Sequence, residues 1–96
     1  MNLRKHTDSY GNYYELNEIK NSLTTIFIHG VGLDNTMWYP QKKYFHDQSI
    51  LFYDLLNHGQ SSGGFTDLSF DIYSNQLLHL INELQLDKIN IVGFSI

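Results

Sequence analysis

Ile89-Asn90-Ile91-Val92 is a short apolar run that leads straight into Gly93-Phe94-Ser95-Ile96. Gly-x-Ser-x-Gly after a buried strand is the pattern of a nucleophile elbow, where a serine sits on a sharp strand-to-helix turn with its hydroxyl exposed above a sheet. The glycines are needed because the turn brings backbones close and leaves no room for a Cβ beside the serine. Gly93, Phe94, Ser95 and Ile96 fill four of the five places. The chemistry open to Ser95 is acyl transfer: attack on a carbonyl gives a tetrahedral oxyanion and then an acyl-enzyme. The bland alternative is a strand that leaves its sheet through a glycine turn.

A second glycine-rich segment, His29-Gly30-Val31-Gly32-Leu33-Asp34, follows the apolar run Thr24–Ile28. Two glycines around one apolar residue make a tight loop whose amides can point at a common centre. A serine hydroxyl is a poor nucleophile until a base takes its proton, and none of the five histidines is well placed to do so. His58 belongs to the turn-rich segment Asn57–Gly64. His6, His46 and His79 are scattered without paired ligand spacing, so no metal site is expected. Asp54 reads as an anchor for the loop after its strand. Met37, Trp38 and Phe94 read as packing residues.

These segments need a scaffold, and the chain supplies one in order. Leu3–Thr7 and Asn12–Leu16 flank the turn residues Asp8-Ser9-Tyr10-Gly11 and predict a hairpin. Thr24–Ile28 and Ser49–Tyr53 are continuous β-branched and aromatic runs, as expected of strands buried on both faces. A helix is expected over Thr36–Phe45, capped by Asp34 or Asn35, packed through Met37, Trp38 and Tyr44, and started or broken at Pro40. Ser69 is the candidate cap of a second helix running to Leu86. There Phe70, Tyr73, Leu77, Leu80, Ile81 and Leu84 recur at helical spacing, with Gln76 and His79 on the polar side. Strands alternating with helices imply a parallel sheet built from right-handed crossovers. Ligands of such sheets sit outside the carboxyl ends of the strands, where all three glycine-rich loops gather.

Composition excludes several functions. The 96 residues make one small domain, with 42% apolar residues, ten acidic against six basic residues, and no cysteine. Disulfides and thiolate metal sites are therefore absent. With only the Arg4-Lys5 and Lys42-Lys43 pairs as basic clusters, nucleic acid is not an expected partner. No apolar stretch approaches a membrane span and no leader peptide is visible, so a cytoplasmic location without a membrane partner is expected.

With these segments in hand, the chain resembles the first half of an α/β-hydrolase-fold serine hydrolase, in the lineage of esterases, enol-lactonases and haloperoxidase-like enzymes. The likeness is carried by Ile26-Phe27-Ile28-His29-Gly30-Val31-Gly32 with Met37-Trp38, by Tyr53-Asp54-Leu55-Leu56-Asn57-His58-Gly59-Gln60-Ser61, by the amphipathic helix, and by Ile91-Val92-Gly93-Phe94-Ser95. The resemblance implies an α/β fold: a hairpin followed by parallel strands with crossover helices, with Thr25–Ile28 between Ser49–Tyr53 and Ile89–Val92. It implies Ser95 as catalytic nucleophile, with the amides of Val31 and Ile96 as the oxyanion hole. His29, Gly30, Gly32 and Gly93 support the motifs, and no cofactor is called for. One departure is Asn57, where the family has glycine; asparagine tolerates left-handed backbone.

The resemblance further implies a small acyl substrate: a carboxylic ester, lactone or thioester. Serine at position 95 argues against dehalogenases and epoxide hydrolases of this fold, which use aspartate there. The acid and histidine of the triad come from later strands in the family. Residues 1–96 are accordingly expected to be a partial domain cut at the elbow and inactive alone. The alternatives are a lyase or perhydrolase using the same serine, or a short non-catalytic binding module.

Overall fold

The computed structural model of the chain describes residues 3–66 and 69–94. Strands β1 (Arg4–Thr7) and β2 (Tyr13–Asn17) form the expected hairpin, pairing antiparallel from Arg4 with Leu16 to Thr7 with Tyr13. Strand β3 spans Thr24–Ile28, β4 Ile50–Tyr53 and β5 Ile89–Gly93. The five strands lie in the order β1-β2-β4-β3-β5. β3 runs parallel to both β4 and β5, so the Thr24–Ile28 strand is central to the parallel part, as expected. The arrangement is a hairpin followed by parallel strands with crossover helices, as expected.

The side-chain period of two explains why β3 and β4 are apolar without a break. Ile26, Ile28, Leu51 and Tyr53 face one way, into a cluster completed by Leu16, Leu55 and Leu80. Phe27, Ile50 and Phe52 face the other way, onto Trp38. Phe27 stacks on Phe52 at 4.6 Å between ring centroids and meets Trp38 edge-on at 5.1 Å. One helical segment covers each face.

On the Trp38 side, the helical segment breaks just before Pro40, as expected. Asn35–Trp38 is a 3-10 turn capped by Asp34, whose Oδ1 accepts from the Thr36 amide at 2.8 Å. Helix α1 (Tyr39–Tyr44) then starts with Pro40 in its first turn, where the missing N–H costs nothing. Tyr44, expected to pack, is 77% exposed and meets the Phe45 ring edge-on at 4.9 Å.

Helix α2 (Phe70–Glu83) covers the other face, with Tyr73, Leu77 and Ile81 packed around buried Leu80. Ser69 occupies its N-cap position without a side-chain cap bond. The helix ends three residues before Leu86, and Gln85 turns left-handed with φ 54°. Two assignments of its faces change. Phe70 is 71% exposed at the first turn, and Gln76, on the polar side by periodicity, is buried. The Gln76 amide serves the backbone of the next layer: Oε1 accepts from Leu56 N at 3.1 Å, and Nε2 donates to Asp54 O at 2.9 Å. Among the described residues β5 pairs only with β3, and Ile91 and Val92 are exposed there. No described helix is long and apolar enough to cross a membrane.

Candidate active site at the carboxyl edge of the sheet

Because β3, β4 and β5 are parallel, the loops that follow them leave the sheet at one edge. The turn after β3 closes when the Leu33 amide donates to Gly30 O at 3.0 Å. Gly32, its third residue, has φ +88°, the left-handed conformation that a type II turn requires there. Val31 projects to solvent, 58% exposed, and its amide takes no hydrogen bond among the described residues. The backbone after β5 lies against this turn. The Phe94 amide donates to Ile28 O at 3.1 Å, and a Cβ on Gly30 would lie 3.0 Å from both Phe94 O and its ring. Gly30 is therefore the residue that lets two loops touch. Phe94, expected to pack, is 48% exposed and rests over Gly30. Ser95 and Ile96, which follow directly in the chain, lie outside the described residues.

Two histidines brace the site, and neither is a free base. His29 is fully buried. Its Nε2 accepts from the Leu55 amide at 2.9 Å, so Nδ1 carries the proton and donates to Gly30 O at 2.8 Å. The ring ties the turn after β3 to the loop after β4. His58 repeats the arrangement one layer out: Nε2 accepts from the Gly32 amide at 2.9 Å, and Nδ1 donates to Leu56 O at 2.8 Å. The two rings lie 5.2 Å apart. Both residues hold backbone, as their sequence context suggested. The reach of His58 across to Gly32 was not legible there.

Burial pushes the His29 imidazole below its ordinary pKa of 6.5, outweighing its bond to Gly30 and the nearby Asp54 charge. The unfolded chain thus binds this proton more readily than the fold does. Stability from a neutral His29 is full above the unfolded value and is lost as pH falls through the lowered folded one. Urea midpoints measured near pH 7.5 and near pH 5 should therefore drop further for the native chain than for His29→Asn. Equal drops would show that His29 titrates as it does in the unfolded state.

Asp54 is the anchor that its position suggested. It is fully buried at the end of β4. Its Oδ1 accepts from Asn35 N at 2.8 Å and Asn35 Nδ2 at 2.7 Å, and its Oδ2 accepts from Gln60 N at 2.8 Å. Gly59 permits that last contact, since a Cβ there would sit 2.2 Å from Oδ2. Asn57, at φ 66°, adopts the left-handed turn and ties Phe65 through both side-chain atoms. Asp54→Asn keeps the shape but replaces one acceptor oxygen by a donor. We expect a loss of about 2 kcal/mol by urea denaturation, the scale of hydrogen bonds to a charged group. A change under about 0.5 kcal/mol would remove the anchor role.

Between the loops lies a hollow of about 640 Å³ bordered by Gly32, Leu33, Asp34, Met37, His58 and Gly59, among others. Among the described residues, no cluster of three or more His, Cys, Asp or Glu could hold a metal ion. His6 lies on β1, at the opposite edge of the sheet from β5, and His79 contacts Asp8 and Tyr10. The site thus offers the Val31 amide as an unpaired donor among the described residues, with both neighbouring histidines committed to backbone.

No protein-family model matches the chain. It is 32% identical over 71 residues to (E)-2-((N-methylformamido)methylene)succinate hydrolase of Acinetobacter baylyi, a match that covers 73% of this chain and 27% of that protein. Among solved structures, MGS-M2, an alpha/beta hydrolase enzyme from a Medee basin deep-sea metagenome library, superposes with a TM-score of 0.82 at 26% identity. That match covers 96% of this chain and 35% of the other. The enol-lactonase of Burkholderia xenovorans LB400 gives 0.79 at 23% identity, covering 88% and 34%. Epoxide hydrolase A of Mycobacterium thermoresistibile gives 0.84 at 13% identity, covering 97% and 31%. The last two show the fold alone. The chain spans about a quarter to a third of the length of these proteins.

Proposed function

Because the chain belongs to the α/β-hydrolase fold family, whose N-terminal portion it carries, we propose that it supplies the nucleophile and oxyanion loop of a serine hydrolase. The substrate class is a carboxylic ester, lactone or thioester, cleaved through an acyl-enzyme. The observation that carries this reading is the contact between the two loops: Phe94 lies on Gly30, one residue before Ser95 and one residue before Val31.

In this reading Ser95 Oγ attacks the acyl carbon as a base takes its proton. The carbonyl oxygen becomes an oxyanion, received by the amides of Val31 and Ile96. Each preorganised donor of this kind lowers the barrier by about 3–4 kcal/mol. The exposure of Val31 and its amide's lack of a described partner support its assignment. Both ring nitrogens of His29 and of His58 are committed, and the base and its orienting acid are assigned, as in the family, to later strands. Collapse of the intermediate expels the alkoxide or thiolate, and water then releases the acid. The test is hydrolysis by the chain joined to a complementing second half, with and without Ser95→Ala; turnover indifferent to that substitution overturns the assignment.

A further inference from the structure

We propose that His58 is a positioning residue for the oxyanion loop, and that protonation of its ring releases that loop. The inference rests on the hydrolase reading for its catalytic meaning, while the contact itself stands on geometry. Gly32 N–H lies at the centre of the turn Gly30–Leu33, in the peptide that joins Val31 to Gly32. In turns of this class the central peptide is the unit that flips between type I and type II, because only the residues on either side of it change conformation. His58 Nε2 accepts from that peptide at 2.9 Å and so selects the left-handed Gly32 arrangement. Fixing this peptide fixes the ψ of Val31 and the φ of Gly32, and with them the shape of the turn that carries the Val31 amide.

The ring is itself fixed. Nδ1 donates to Leu56 O, which leaves Nε2 as an acceptor in the neutral tautomer alone. A proton added at Nε2 turns the acceptor into a donor facing another donor, and the Gly32 bond is lost. The groups facing His58 are His29 at the end of β3, Tyr73 on α2, 6.3 Å away between ring centroids, and Asp34 along the same hollow. Asp54 lies beneath Gly59. Nothing lies within 4 Å of where a Cβ on Gly32 would stand, so no side chain packs against that side of the central peptide.

The experiment follows the Gly32 amide by NMR in this chain, with hydrogen-exchange protection read across the titration of the His58 ring. Protection should fall by about tenfold, the weight of one hydrogen bond, with a midpoint that matches the His58 ring signals. His58→Gln keeps an acceptor at the reach of Nε2 without the titration. It should retain protection at low pH, and His58→Leu should lose it at every pH. Protection that is indifferent to the ring's titration, or equal in His58→Gln and His58→Leu, overturns the proposal. If His58→Leu does not fold, the native titration and the glutamine variant still decide. None of these readings depends on Ser95, so failure of the hydrolase assignment would be seen separately, in the Ser95→Ala comparison.

Discussion

In a chimera where this chain replaces the matching N-terminal segment of the Burkholderia enol-lactonase, Ser95→Ala is expected to lower lactone hydrolysis by about 10⁴–10⁶-fold, as removal of a triad nucleophile does. The isolated 96-residue chain should show no turnover above that background. The expectation follows from what each part supplies. Removing the nucleophile leaves only oxyanion donors and binding, which by themselves give about 10³–10⁴ over water. The isolated chain has the converse defect, a serine for which neither His29 nor His58 is free to take the proton. The superposition, at TM-score 0.79 over 88% of this chain, makes the exchange feasible. Circular dichroism of the two chimeras separates a folding defect from a chemical one. A folded Ser95→Ala chimera that keeps most of the activity would move the nucleophile elsewhere.

The scaffold of this site was legible because its signals are local. A β-branched run reads as a buried strand, and Gly30, Gly32 and Gly93 mark where strands give way to turns. The strand order followed from the resemblance and from the crossover rule together. What stayed illegible is long-range and polar. Gln76 sits on the hydrophilic face of its helix by periodicity, yet it is buried because Leu56 N and Asp54 O need partners in the layer beneath. His58 reads as a turn residue, since nothing in the sequence says that Gly32, 26 residues earlier, will lie against it. Phe70 and Tyr44 are the opposite case: apolar residues at the first and last positions of their helices, they are exposed. Lys42 is the largest omission. It looks like half of a solvated Lys42-Lys43 pair, and it is buried.

Replacing that lysine is expected to cost the fold about 3–5 kcal/mol, as breaking a buried ion pair from one side does. Lys42 Nζ donates to Glu15 Oε1 at 3.0 Å and to Asn35 Oδ1, and less than a tenth of either side chain of the pair is accessible. Glu15 also accepts from the Tyr13 hydroxyl at 2.6 Å, a phenol that burial and the Glu15 carboxylate hold protonated. Asn35 passes the connection on to Asp54, so one polar chain joins β2, the 3-10 turn and the loop after β4. Lys42→Met leaves the carboxylate of Glu15 buried with Tyr13 as its one remaining side-chain partner. Against a total of about 0.05–0.15 kcal/mol per residue, that loss removes a large share of the stability. Lys42→Met combined with Glu15→Gln discharges the site while keeping an acceptor for Tyr13, and should recover roughly half of the loss. Urea denaturation of the two single variants and the double variant closes the cycle. A cost below about 1 kcal/mol for Lys42→Met is what a solvent-exposed pair gives, and would mean that this pair opens to water.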